Sequence, residues 1–145
     1  MIHLLAVIQY VQTHVLGVLL AVAASFAVGF LWHGPLFGGQ WMKFNKIAMP
    51  KKEDVSFSSM LPGIGASLLM AFVQAAVLGR AFELVALAHV GHALVIATIV
   101  WLPFTALVLA NEYAWLGKSF AHICFDAAYN LVSLWAIAAV LYVTL

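Results

Sequence analysis

Four long apolar runs, separated by clusters of aromatic, histidine and charged residues, divide this chain. The first, Val15 to Trp32, has no charge and one hydroxyl, Ser25. As a helix its 18 residues rise about 27 Å, close to the hydrocarbon thickness of a bilayer. It is expected to stop near Gly34-Pro35, because proline disfavours helical geometry in the residue before it. Trp32, Phe37 and Trp41 then mark a boundary between hydrocarbon and water. In the second run, Met60 to Gly79, the small residues Ser67, Ala71, Ala75 and Gly79 recur every four positions, as do Ala21, Ser25 and Gly29 in the first. Such ladders let helices approach closely, and Gln74 beside this one is expected to hydrogen-bond a neighbouring helix. The third run, Ala93 to Ala110, contains Pro103, where a kink is expected. The fourth, Phe120 to Leu145, would extend about 39 Å as a helix, so it tilts or begins at the interface.

This pattern predicts an all-α integral membrane protein, a single domain over residues 1–145 built as a four-helix bundle. The expected spans are 15–32, 60–79, 93–110 and 120–145, with a polar loop at 43–59. Residues 1–14 are apolar but interrupted by His3, Gln9, Gln12 and His14, and carry no Lys or Arg. They are expected to form an extra interfacial helix or turn, or an extension of the first span. Ala21-Val22-Ala23 resembles a signal cleavage site, yet the apolar run continues past it, so an uncleaved segment is expected.

Composition narrows the class further. The chain is 66% hydrophobic and 8% charged, against roughly a quarter charged in a soluble domain, and no soluble fold of this length could bury that surface. A net charge of +1 leaves no basic face for phosphates, which argues against nucleic acid as a partner. Cys124 is the only cysteine, so neither an intramolecular disulfide nor a cysteine-cluster metal site can form, and a buried or lipid-facing apolar role is expected for it. With four spans, the loop containing Lys43, Lys46, Lys51 and Lys52 shares a side with the Lys118 loop, while Arg80 stands alone on the other. Positive loops stay inside, which predicts cytoplasmic basic loops in a multi-pass protein of the bacterial inner membrane.

Candidate chemistry gathers at the same end. His122, Asp126, Asn130 and Ser133 follow spacings of four, four and three, which place them on one stripe of the fourth helix. An ionised Asp126 inside a span would cost at least about 2.5 kcal/mol, so it must be paired, hydrated or protonated. His33 and Tyr113 end the first and third helices at the same depth, and with Asn111, Glu112 and Tyr129 they complete the candidate polar cluster. Three readings compete for it: hydrogen bonds that hold helix ends together, a proton or solute pathway with Asp126 titrating beside Glu112 or His122, and a metal or haem site using His33, His122 and a carboxylate. Acid–base enzyme chemistry on a lipid-like substrate is a further reading. The other end gathers His14, Arg80, Glu83, His89 and His92. His89 and His92 with Glu83 could supply part of a metal shell, but polar residues at span ends are also where they cost least.

Trp32-His33-Gly34-Pro35-Leu36-Phe37-Gly38, Trp41-Met42-Lys43, Asn111-Glu112-Tyr113 and the run Asp126 to Ser133 together resemble the small membrane proteins of the family called domain of unknown function 1761. The resemblance covers nearly all of the chain after the N-terminal segment. It implies four membrane helices and no established activity. The family more often carries tyrosine at the His33 position, asparagine at Glu112 and histidine at Asn130, so polar groups are redistributed here among neighbouring sites. A faint echo between residues 39–44 and 114–120 hints at two related helical hairpins. The expectation is a structural or binding subunit, homo-oligomeric or part of a membrane complex, with the lipid bilayer as its surroundings and no cofactor. A small proton-coupled transporter is the alternative, and a membrane enzyme or metal- or haem-binding protein the third reading.

Overall fold

A computed structural model describes residues 2–46, 57–85 and 87–145. Among these, seven α-helices and two π-helical segments form an all-α protein. They are α1 (Ile2–Thr13), α2 (Val15–Leu31), α3 (Gly38–Phe44), α4 (Phe57–Leu84), α5 (Val90–Trp101), α6 (Leu107–Trp115) and α7 (Phe120–Thr144). The π segments Trp32–Leu36 and Leu102–Ala106 join α2 to the turn before α3 and α5 to α6. Four stretches are long and apolar enough to cross a membrane: Val15–Leu36, Met60–Leu84, Val90–Trp115 and Phe120–Thr144. Lys51, Lys52, Glu53 and Asp54 of the expected basic loop lie outside the described residues.

Each helical run ends where its local chemistry changes, though often later than hydropathy alone suggests. Regular helical geometry breaks at Gly34-Pro35, as expected. Gly34 leaves helical geometry (φ −107°, ψ −107°), and the amide of Phe37 reaches back five residues to the Trp32 carbonyl at 3.1 Å. This widened turn accommodates the missing proline donor. A Cβ on Gly38 would lie 2.7 Å from the His33 carbonyl oxygen, so glycine lets α3 start against the break. The kink expected at Pro103 takes the same form, with the amide of Leu107 bonded to the Leu102 carbonyl. α4 continues past Gly79 to Leu84, which sets Arg80 and Glu83 one turn apart and lets Nη1 donate to Oε2 at 2.7 Å.

α7 is the centre of the bundle. α2, α4 and α5 all pack on it, α2 also packs on α4, and α5 packs almost entirely on α7. Gly17 faces Thr144, Ser25 meets Ser133, and Trp32 meets Phe125, so α2 and α7 are antiparallel. The core is rich in alanine: Ala21, Ala71, Ala75, Ala93, Ala97 and Ala138 surround Val18, Ile137 and Leu141, the largest side chains fully withdrawn from the surface. Small side chains bring backbones close, which is the main source of helix association where lipid competes equally for apolar contact.

The expected ladder on α4 is used over only part of its length. Ala71, Ala75 and Gly79 are buried, whereas Ser67 is exposed and none of the residues described at 60–70 is buried. Gln74 is half-buried and makes no hydrogen bond among the described residues, so the expected interhelical bond is not formed.

α1 is a separate helix. The chain breaks at His14 (φ −114°, ψ 33°), and α1 packs chiefly on α4. Its 12 residues rise about 18 Å, less than the hydrocarbon thickness. The Tyr10 ring covers Gly79 so closely that a Cβ there would fall 2.2 Å from it. Burial, reinforced by the Glu83 carboxylate, pushes the Tyr10 hydroxyl above its ordinary range.

Gly79→Leu is therefore expected to displace Tyr10 and loosen α1, lowering stability by about 1–3 kcal/mol in detergent unfolding. At Gly63, where a Cβ meets nothing within 4 Å, the same change should stay within about 0.5 kcal/mol. Equal losses at the two positions would refute this account of α1.

Candidate functional site at the basic end

α7 begins at the end of the bundle that carries Lys43 and Lys118. Ser119 caps it, its hydroxyl accepting from the His122 amide at 3.3 Å. The capped turn directs His122 inward, where it is 2% exposed, and the following turns carry Asp126 and Asn130 along the same stripe.

Asp126 Oδ2 is the focus. The Tyr113 hydroxyl of α6 donates to it at 2.5 Å, and His122 Nε2 lies 3.3 Å away. That separation suits an ion pair with a protonated imidazole, but the direction does not make a hydrogen bond, and Nε2 is otherwise unpartnered in the interior. Asn130 turns back along its own helix and donates to the Asp126 backbone carbonyl at 2.8 Å, so it caps the cluster without touching the carboxylate. Phe44 of α3 stacks on the His122 ring with centroids 4.8 Å apart and 10° between planes. Lys118 Nζ sits 4.0 Å from the centroid of Tyr113. A carboxylate, a phenol and an imidazole thus share one oxygen, between a stacked ring and a cation.

A second group lies deeper along α7. Ser133 and Ser25 are both buried, and their hydroxyls pair at 2.7 Å between α7 and α2. Closer to the basic end, His33 Nδ1 approaches the Gly29 carbonyl at 3.1 Å, and its ring meets Tyr129 edge-on at 4.4 Å and Trp41 at 5.7 Å. The indole of Trp32 fills the space among Phe37, Phe125 and Tyr129, with its N–H buried and unpartnered.

The candidate residues therefore separate into two groups. His122, Asp126 and Asn130 converge near α6, while His33, Tyr129 and Ser133 belong to the α2 contact. Asn111 and Glu112 are exposed and make no hydrogen bond to either group among the described residues. Tyr113 faces inward on that turn, so its two predecessors point elsewhere. The direct partners of Asp126 and Ser133, Tyr113 and Ser25, are absent from the stripe on the fourth span. The sequence signals for them are the end-of-span position of Tyr113 and the lone hydroxyl of Ser25 in the first span. At the far end His89 and His92 lie with rings 4.0 Å apart, and Glu83 is held between Arg80 and His14. No three histidine, cysteine or acidic side chains among the described residues form a group that could hold a metal ion. Two grooves, of about 420 and 590 Å³, lie between α1 and α4 and beside Phe82 and Tyr142, and neither is lined by Asp126.

Four apolar helices around buried side-chain pairs define a helical membrane protein. The chain belongs to the family described as Protein of unknown function (DUF1761), whose profile matches residues 16–142. No curated protein and no solved structure matches it.

The Ser25–Ser133 pair can be tested alone. Replacing either serine with alanine leaves its partner buried and unsatisfied, whereas replacing both removes the debt. A double-mutant cycle in detergent should give a coupling of about 0.6 kcal/mol and no more than about 1.7. Strict additivity would show that the two hydroxyls do not interact.

Proposed function

We propose that this protein is a structural or binding subunit of the bacterial inner membrane, acting as a homo-oligomer or within a membrane complex, with its basic loops in the cytoplasm and the Asp126 cluster clamping α6 and α7. The observation that carries this reading is the internal use of Asp126: Tyr113 satisfies its carboxylate and His122 flanks it, away from both principal grooves. A charged group kept for transport or catalysis needs access to a solute. A group kept for cohesion needs only partners. α5, held by little besides α7, leaves a broad apolar surface for lipid or for another chain.

The alternative is a small proton-coupled transporter. One feature favours it: His122 Nε2 is buried without a hydrogen bond beside a carboxylate oxygen that already receives one proton donor. The two groups face each other at 3.3 Å. Among the described residues no group of three histidine, cysteine or acidic side chains supports a metal role.

Asp126→Asn and Asp126→Leu distinguish the two readings. For a clamp, asparagine still accepts from Tyr113, so folded yield should be retained and stability should fall by no more than about 1 kcal/mol. Leucine orphans the phenol and should cost about 1–3 kcal/mol in detergent unfolding. Proton flux in proteoliposomes that is present in the wild type and lost in well-folded Asp126→Asn would overturn the clamp reading in favour of transport.

A further inference from the structure

α1 and α4 enclose a groove of about 420 Å³ on the side of the bundle away from the Asp126 cluster. Its walls are Ile8 and Val11 from α1 and Phe72, Val73, Ala76 and Val77 from α4, with Gln12 as the polar member of the lining. The α4 wall lies within a stretch long and apolar enough to cross a membrane. Water gains little in such a recess, and emptiness there forfeits dispersion contacts. A flexible hydrocarbon chain can follow a groove of this volume between two helices.

The groove also has a polar end. Arg80 follows Ala76 by four residues and Val77 by three, so it continues the same face of α4 one turn further on. Glu83 engages the guanidinium through Nη1, and the other two guanidinium nitrogens have no partner among the described residues. His14 Nε2 lies 3.2 Å from the other oxygen of Glu83, which fixes the carboxylate and with it the arginine. Apolar walls ending at a positioned guanidinium match the chemistry of a diacyl phospholipid: hydrocarbon below, a phosphodiester above.

We propose that the α1–α4 groove binds one phospholipid, with an acyl chain between Ile8 and Val73 and its phosphate on Arg80. This sets it apart from the exposed face of α5, a helix that carries no Lys or Arg. The site also gives α1 a role, since the fold-back of that helix forms one wall.

The test is native mass spectrometry of the full chain, stripped of lipid in mild detergent and then equilibrated with phosphatidylethanolamine or with diacylglycerol of the same chains. The wild type should retain one phosphatidylethanolamine and bind diacylglycerol roughly tenfold more weakly, the contribution of one charge-assisted contact. Arg80→Gln should remove that preference. Val73→Trp and Ile8→Trp fill the groove from opposite walls, at positions 51% and 46% exposed, and each should abolish retention with circular dichroism unchanged. Ile99→Trp, on the open face of α5 at 64% exposure, should bind as the wild type does. A wild type that retains no lipid, undiminished retention in both groove-filling variants, or an intact headgroup preference in Arg80→Gln would overturn the proposal.

Discussion

In hydrocarbon a buried donor or acceptor has no water to fall back on, and this constraint organises the protein around α7. Apolar packing alone cannot hold that helix in one rotation, because lipid tails satisfy leucine and alanine as well as a neighbouring helix does. Polar side chains can. Ser133 pairs with Ser25 of α2, Asp126 receives the hydroxyl of Tyr113 from α6, and Trp135 donates to Thr98 of α5. Trp101 of α5 donates in turn to the Ala127 carbonyl. Turning α7 by one residue, about 100°, would break all four links together. The energy of each link is modest. Their joint effect is to select one packing from several of similar apolar contact.

The two ends of the bundle are built from different materials. Where α2, α4 and α7 converge, alanines at Ala21, Ala71, Ala75 and Ala138 draw the backbones together. Toward the basic end, Trp32, Phe37, Phe44 and Phe125 pack ring against ring between α2, α3 and α7. Those rings fill the space beside α7, and none of the α4 residues described at 60–70 is buried. Side-chain size thus places the polar cluster under an aromatic layer, with α3 folded over it through the Phe44–His122 stack. The two proline-bearing π turns widen the helical runs, the first beginning at Trp32 and the second following Trp101.

Membership of the DUF1761 family and an all-helical membrane fold could be read directly from the order of residues. Long apolar runs, proline breaks and interfacial aromatics are local properties, and each constrains the backbone wherever it occurs. The four-residue spacing of His122, Asp126 and Asn130 is local in the same sense, because a helix puts such residues on one stripe in any fold. Partnership is not local. That Tyr113 rather than Glu112 reaches Asp126 depends on the rotation of α6, which its packing against α7 sets. That Ser67 is exposed while Ala71 is buried depends on how far along its length α4 stays against α2 and α7, which residues distant in the chain set. The return of α1 onto Gly79 depends on one absent side chain meeting one tyrosine. Hydropathy and helical period therefore determined the class, the helices and the stripe, since each acts within a few turns. Only the tertiary structure decided which polar groups meet, because that depends on helix rotation and spacing summed over the whole bundle.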